Sequence, residues 1–318
     1  MLFLHIGVGK AGSTTIQSFL KEKRELLDAH VAQLDCVGIG HGWKLAAASG
    51  TDLAEKYWVR NREFSSHYDY RDFVSKFWDN LRSEVDHKGS NNYVISSEHI
   101  FSQYFNYESN IIDLKDKLTE IFGTVRVIFY CRDQISWAKS FYGQIIKGPT
   151  AGRLPYDAFV DEFRDHRNHW DYYNNLSVWA DIFGDDAIFA RVLDKRQLVS
   201  GDLIMDFLNL MDLENEKNIQ FKSGKSSNIS PKYRRLEAVR YLNYLKGRSA
   251  IPVPVFNLAR RIILNNKLKL LDKGSKFPAH RDKDLLTMID ETNRRFNNRF
   301  LKNSAVKLST FGILNSDD

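Results

Sequence analysis

Cysteine is scarce in this chain: its 318 residues hold two, Cys36 and Cys131. Two isolated thiols make neither a disulfide framework nor a zinc site. Cys131 ends the apolar run VRVIFYC, where a small buried thiol is the ordinary occupant. Long hydrophobic runs are missing as well. No apolar stretch approaches the roughly 20 residues of a membrane-spanning helix, so no stable membrane insertion is expected. The opening LFLHI carries no basic region or cleavage signal, which makes a cytoplasmic location the expectation. There is no internal repeat. Charge of one sign is only mildly in excess, with 46 Lys and Arg against 40 Asp and Glu, a net of +6. That excess suits an anionic partner without choosing among a phosphorylated donor, an acidic glycan and a nucleic acid. No recognised nucleic-acid motif accompanies it, so no nucleic-acid partner is expected.

What the chain does have is alternation. LFLHI (2–6), the run around Tyr93–Ser96, VRVIFYC (125–131) and AIFARVL (187–193) are short and mainly apolar. Such runs mark strands buried on both faces, as in a parallel sheet. Between them, apolar residues recur at helical spacing: Ile16, Phe19 and Leu20; Phe73, Phe77, Leu81 and Val85; then IIDLKDKLTEIFG, closed by Gly123. The expected fold class is α/β: a P-loop-like three-layer fold with a central, mainly parallel sheet and a helical C-terminal part. One domain is expected over residues 1–318. It divides into an α/β nucleotide-binding core (1–200) and a mostly helical extension (201–318), with the polar loop SGKSSNIS near 222–231.

The first strand runs into HIGVGKAGST. Gly7 and Gly12 have the spacing of a nucleotide triphosphate loop, but Ser13 follows Gly12 and the lysine stands earlier, at Lys10. Strand, glycine-rich turn, helix is the context in which backbone N–H groups at a helix start receive an anion. In an open α/β sheet that position is also where ligands bind. Ser13, Thr14 and Thr15 add hydroxyl donors, and Lys10 adds a point charge. A magnesium-dependent phosphoryl transfer needs a metal-holding carboxylate after an apolar strand. VRVIFYC instead ends in Arg132-Asp133, where the aspartate reads as a helix-start charge. A group transfer without a metal fits better.

Arg132 stands at a strand end, and Ser140 lies on the helix that follows. A guanidinium fork with a hydroxyl can grip a phosphate. Together these features resemble the sulfotransferases that use 3′-phosphoadenosine 5′-phosphosulfate (PAPS). Their first loop, of the type P-K-[ST]-G-[ST]-[ST], is matched by Lys10-Ala11-Gly12-Ser13-Thr14, with alanine where a hydroxyl residue is usual. Their second signature, an arginine with a serine eight positions later, is matched by Arg132 and Ser140. Bacterial, carbohydrate-modifying members show HIGxxKTGSTSIQ-like openings, a strand ending SSE and a late N-x-S-x-[ST]-P-like loop. This chain has HIGVGKAGSTTIQ, ISSEH and NISPKY. The resemblance runs from residue 1 to about 245, and no named motif covers the rest.

The resemblance implies PAPS as donor, adenosine 3′,5′-bisphosphate as product and no required metal. Residues 10–15 would hold the 5′-phosphosulfate, with Lys10 stabilising charge on the bridging oxygen. Arg132 and Ser140 would hold the 3′-phosphate. SGKSSNIS would cover the nucleotide, with Lys225 and Ser226 as contacts. Sulfuryl transfer to a hydroxyl or amine also needs a base. Glu98, directly after the strand in ISSEH, is the first choice and His99 the second, whose ordinary pKa of about 6.5 suits the task. His41 and Arg60, with Arg62 beside it, are weaker candidates for the acceptor side, where a glycan or glycolipid is expected. The competing classes are a P-loop kinase acting on a small molecule and a non-enzymatic binder of an anionic polymer. Oligomeric state is not legible.

Overall fold

The structure is a computed structural model that describes residues 1–38, 42–50, 55, 58–59, 63–103, 107–148, 152–215, 232–248, 251–264 and 275–311. In chain order, β1 (Leu2–His5) turns into α1 (Ser13–Glu22), followed by α2 (Arg24–Leu27), β2 (Ala32–Gln33), α3 (Trp43–Ala48) and α4 (His67–Lys88). Next come β3 (Tyr93–Ser96), α5 (Glu98–Gln103), α6 (Glu108–Phe122), β4 (Val125–Cys131) and α7 (Gln134–Lys147). The chain continues through α8 (Tyr156–Asp161), α9 (Arg167–Trp170), α10 (Tyr172–Phe183), β5 (Ile188–Val192) and α11 (Leu203–Asn209). It closes with α12 (Tyr233–Arg248), α13 (Val253–Leu264) and α14 (Ala279–Phe300).

The backbone forms two compact units. The first comprises Met1–Arg132, Asp171–Ser223 and Thr292–Lys307, and the second Asp133–Trp170, Gly224–Glu291 and Leu308–Asp318. The first unit holds the sheet, in the order β2-β3-β1-β4-β5 with every pairing parallel. The expected α/β class is therefore the observed one, and the four strands read from apolar runs are all present. β2 is additional: two residues gain strand character only because Ala32 and Gln33 pair with Tyr93 and Val94.

Strand order explains the layers. From β1 the chain steps outward to the β2 edge, and from β3 it steps back across β1 to β4. Right-handed crossovers put connections of opposite direction on opposite faces. Accordingly α1 packs on α11, and α6 packs on α10. Leu2, Leu4, Val127 and Phe129 are fully buried between the layers. Each such side chain contributes about 1.5–3 kcal/mol by leaving water. Local signals set the helix ends: Ser66 accepts the Asp69 N–H at 3.1 Å to start α4, and Gly123 closes α6. Cys36 and Cys131 are free, Cys131 being fully buried in β4.

The second unit is helical. α7 starts at Asp133, whose carboxylate accepts the Ile135 and Ser136 N–H groups and, through its other oxygen, the Ser309 N–H. Its core is aromatic, with Tyr142, Tyr156, Phe159, Tyr233 and Phe277 in mutual contact. The Tyr142 hydroxyl donates to Glu237 at 2.7 Å, and Asn243 of α12 donates to the Ile146 and Gly152 carbonyls. No helix among the described residues is long and apolar enough to cross a membrane.

Candidate active site

Beyond His5 the chain leaves the sheet at the carboxyl ends of its strands. The Ala11 N–H donates to the Val8 carbonyl at 3.2 Å, closing a tight turn with Gly9 and Lys10 exposed at its tip. Lys10 has φ 72, the left-handed region. For a residue with a Cβ that conformation costs about 1–2 kcal/mol. Gly12 is also left-handed, at φ 89, and is the N-cap of α1 without any side-chain cap. A Cβ there would stand 2.5 Å from Leu203 Cδ2 of α11, so glycine serves both the turn and the packing. The first N–H groups of α1 therefore meet the loop uncapped, with the positive end of the helix behind them. The Thr14 and Thr15 side chains are exposed beside them, whereas Ser13 and Ala11 are buried. Ala11 fills core space, so the position where a hydroxyl was expected does not face outward.

His5 lies beneath this loop, and sequence reasoning did not select it. Its ring is fully buried, and Nδ1 is 2.8 Å from the Ser96 hydroxyl at the end of β3. The ring packs edge-on against Tyr130 and Phe207, with centroids 5.9 Å away in each case. Burial pushes its pKa down to about 3, so the imidazole is neutral at ordinary pH. Nε2 and the Ser13 hydroxyl are buried without a hydrogen-bond partner among the described residues. A Cβ on Gly7 would come within 2.3 Å of that hydroxyl and 3.2 Å of Nε2, so both atoms border the same point of the loop. The available signal was one polar residue inside an otherwise apolar strand.

Below His5 is a second buried polar group. The Tyr130 hydroxyl donates to Asp206 Oδ2 at 2.6 Å, and Arg191 Nε lies 3.7 Å from the same oxygen. Asp206 is 1% exposed, and this pairing compensates the desolvation of its charge. Burial, with Asp206 alongside, raises the Tyr130 pKa well above its ordinary value.

β3 pairs directly with β1, His5 opposite Ser96, and the Ser97 N–H continues the ladder to the His5 carbonyl at 2.9 Å. Glu98, the next residue, opens α5 and is half-buried. The expected base thus follows the strand adjacent to the one that carries the loop. His99 is turned against Trp58, ring centroids 5.4 Å apart and T-shaped. On the other side of β1, β4 ends at Cys131, and half-buried Arg132 follows. The Arg132 carbonyl accepts the Tyr172 hydroxyl at 3.0 Å, which fixes its backbone.

Lys10, Glu98 and Arg132 therefore all belong to the first unit, each just past the carboxyl end of one of three adjacent strands. Ser140 is a half-buried residue of α7 in the second unit. His41, Arg60, Lys225 and Ser226 lie outside the described residues. No group of three or more His, Cys, Asp or Glu side chains suited to a metal occurs among the described residues. An open depression of about 570 Å³ in the first unit is lined by Met1, Asp28, Lys88 and Asp212. It lies at the amino ends of the strands, the end opposite to that at which open α/β sheets receive ligands.

No family model matches this chain, and no solved structure matches it. A stretch of 105 residues is 26% identical to a protein of Archaeoglobus fulgidus described as uncharacterized. That stretch is 33% of this chain and 27% of the relative, so the similarity spans about a quarter of the relative's length.

Proposed function

We propose that this chain is a sulfotransferase, moving the sulfuryl group of PAPS to a hydroxyl or amine of a carbohydrate acceptor. The observation that carries this reading is one arrangement. An uncapped helix start with Lys10 at the tip of its loop follows β1, and a carboxylate, Glu98, follows the paired β3. The residues present fit an anionic donor. No heavy atom lies within 4 Å of a Cβ built on Gly9, so the loop tip is open to close approach.

In this reading the N–H groups at the start of α1 and the Thr14 and Thr15 hydroxyls hold the 5′-phosphosulfate. The acceptor oxygen attacks sulfur in line with the bond to the 5′-phosphate oxygen. As that bond breaks, the sulfuryl group passes to the acceptor and adenosine 3′,5′-bisphosphate leaves. Lys10 meets the charge that develops on the departing oxygen. Glu98 takes the acceptor's proton. Arg132 supplies a guanidinium for the 3′-phosphate. The resemblance alone assigns Ser140 to that phosphate, and Lys225 and Ser226 to a covering loop. No step calls for a metal. A cytoplasmic setting fits two unpaired thiols. A glycan or glycolipid is the acceptor class the resemblance favours.

Calorimetric titration separates this reading from a kinase. Adenosine 3′,5′-bisphosphate binding tightly and ATP with magnesium weakly is the expected result, followed by transfer of label from PAPS to a member of a glycan panel. Tight ATP–magnesium binding with weak bisphosphate binding overturns it.

A further inference from the structure

α13 is amphipathic in an unusual sense: its apolar residues lie on both sides. Phe256 is buried and anchors the helix to its own unit, with the Lys246 ammonium of α12 4.2 Å above its ring. The Arg260 guanidinium donates to the Lys147 and Gly148 carbonyls at the end of α7. These contacts settle which face points inward. On the opposite side Val255 (55%), Leu258 (60%) and Ile262 (48%) are strongly exposed. At 100° per residue these three fall within an arc of about 60°, so they form one continuous stripe. Val253, at the helix start, is 57% exposed as well.

The charge beside the stripe is of one sign. α13 contains no acidic residue, and exposed Arg261 flanks Leu258 and Ile262. Arg260, the other cation of the helix, is turned inward onto the end of α7, and the following sequence 265–273, which lies outside the described residues, carries Lys267, Lys269 and Lys273 against one acid, Asp272. A stripe of aliphatic side chains with the Arg261 cation at its edge and no acid on its helix is complementary to a surface that is apolar below and anionic at its rim. A second copy of the chain fits less well. A two-fold contact sets the same patch against itself, bringing Arg261 towards its counterpart with no acid of α13 to pair it. A nucleic acid would use the cations but leave the valine, leucine and isoleucine unburied.

We propose that α13 is a membrane-surface helix that docks this protein on an anionic lipid bilayer. Val255, Leu258 and Ile262 enter the headgroup boundary, and Arg261 stays among the headgroups. The docking is peripheral and does not depend on the identity of the sulfuryl acceptor or on the donor chemistry.

Vesicle flotation of the full chain tests this, with phosphatidylcholine alone and with phosphatidylglycerol added. The protein should float with the anionic vesicles and be released by salt. Leu258→Glu with Ile262→Glu should lower partitioning by about tenfold or more, since two buried aliphatic side chains become charged. Arg261→Glu should weaken binding to anionic vesicles and leave the residual binding to neutral ones unchanged. Circular dichroism and thermal melting establish that each variant is folded. Absence from floated vesicles of either kind overturns the proposal, as does flotation that the double substitution leaves intact. Concentration-dependent dimerisation that Leu258→Glu abolishes would assign the stripe to a second copy and also overturn it.

Discussion

The His5 Nδ1 atom and the Ser96 hydroxyl, 2.8 Å apart, join the ends of β1 and β3 directly beneath the loop that carries Lys10. The imidazole is fully buried and neutral, with its pKa held down to about 3. In the unfolded chain the same group titrates near 6.5. Between those values the unfolded state binds the extra proton, so stability rises with pH. The contribution is complete above about pH 6.5 and is lost as pH falls towards 3. Urea unfolding at about pH 7 and about pH 5 should therefore show a loss near 2 kcal/mol attributable to His5. His5→Asn removes the titration, so its stability should decline less over that interval. Parallel curves for the two proteins would refute the assignment.

Lys10 adopts φ 72 at an exposed loop tip. Relief of left-handed strain is partly offset by the greater chain entropy of glycine when unfolded. Lys10→Gly should thus raise stability by up to about 1 kcal/mol while abolishing most sulfuryl transfer. Lys10→Ala should lose transfer without the stability gain. Thermal melts and a single-turnover assay measure the two effects. A glycine variant that is both less stable and fully active would contradict the strained functional loop.

Gly12 combines φ 89 with the close approach of Leu203. Gly12→Ala should cost roughly 1–3 kcal/mol, from left-handed strain together with overpacking. Adding Leu203→Ala removes the clash but not the strain, so Gly12→Ala should cost less stability in that background without becoming neutral. Full recovery would show that the backbone conformation is incidental.

Glu98 and Arg132 follow different strands and should fail differently. Glu98→Gln should reduce turnover by about 10²–10⁴-fold with bisphosphate affinity unchanged. Arg132→Ala should weaken the bisphosphate by about 10- to 100-fold, the worth of a charged hydrogen bond. Measuring affinity and rate separately decides it. Near-normal turnover in the glutamine variant would move the base to His99 or elsewhere.

Much of the scaffold was legible because parallel strands are buried on both faces. LFLHI, YVIS, VRVIFYC and IFARV are mainly apolar, with His5, Ser96, Arg126 and Arg191 as the polar exceptions, and each appears as a strand in the first unit. The turn from β1 into α1 was legible for a similar local reason, since closely spaced glycines before Ser-Thr-Thr leave few alternatives. β2 was not. Ala32-Gln33 has no pattern of its own and is a strand only by courtesy of Tyr93 and Val94. The charge of Asp133 was readable as a helix start, and it caps α7, but the bond its other oxygen accepts from the Ser309 N–H spans 176 residues.

By itself, the sequence determined which segments are buried and where the glycine-rich turn between strand and helix lies, because hydrophobic period and glycine spacing are local properties. Only the tertiary structure decided that β3 and β4 flank β1, so that Glu98 and Arg132 follow the two strands beside the one carrying Lys10. It alone made His5 a buried neutral imidazole, turned Lys10 left-handed and pressed Leu203 against Gly12. These depend on which backbones become neighbours, and on how much water that neighbourhood excludes, which no short stretch of residues encodes.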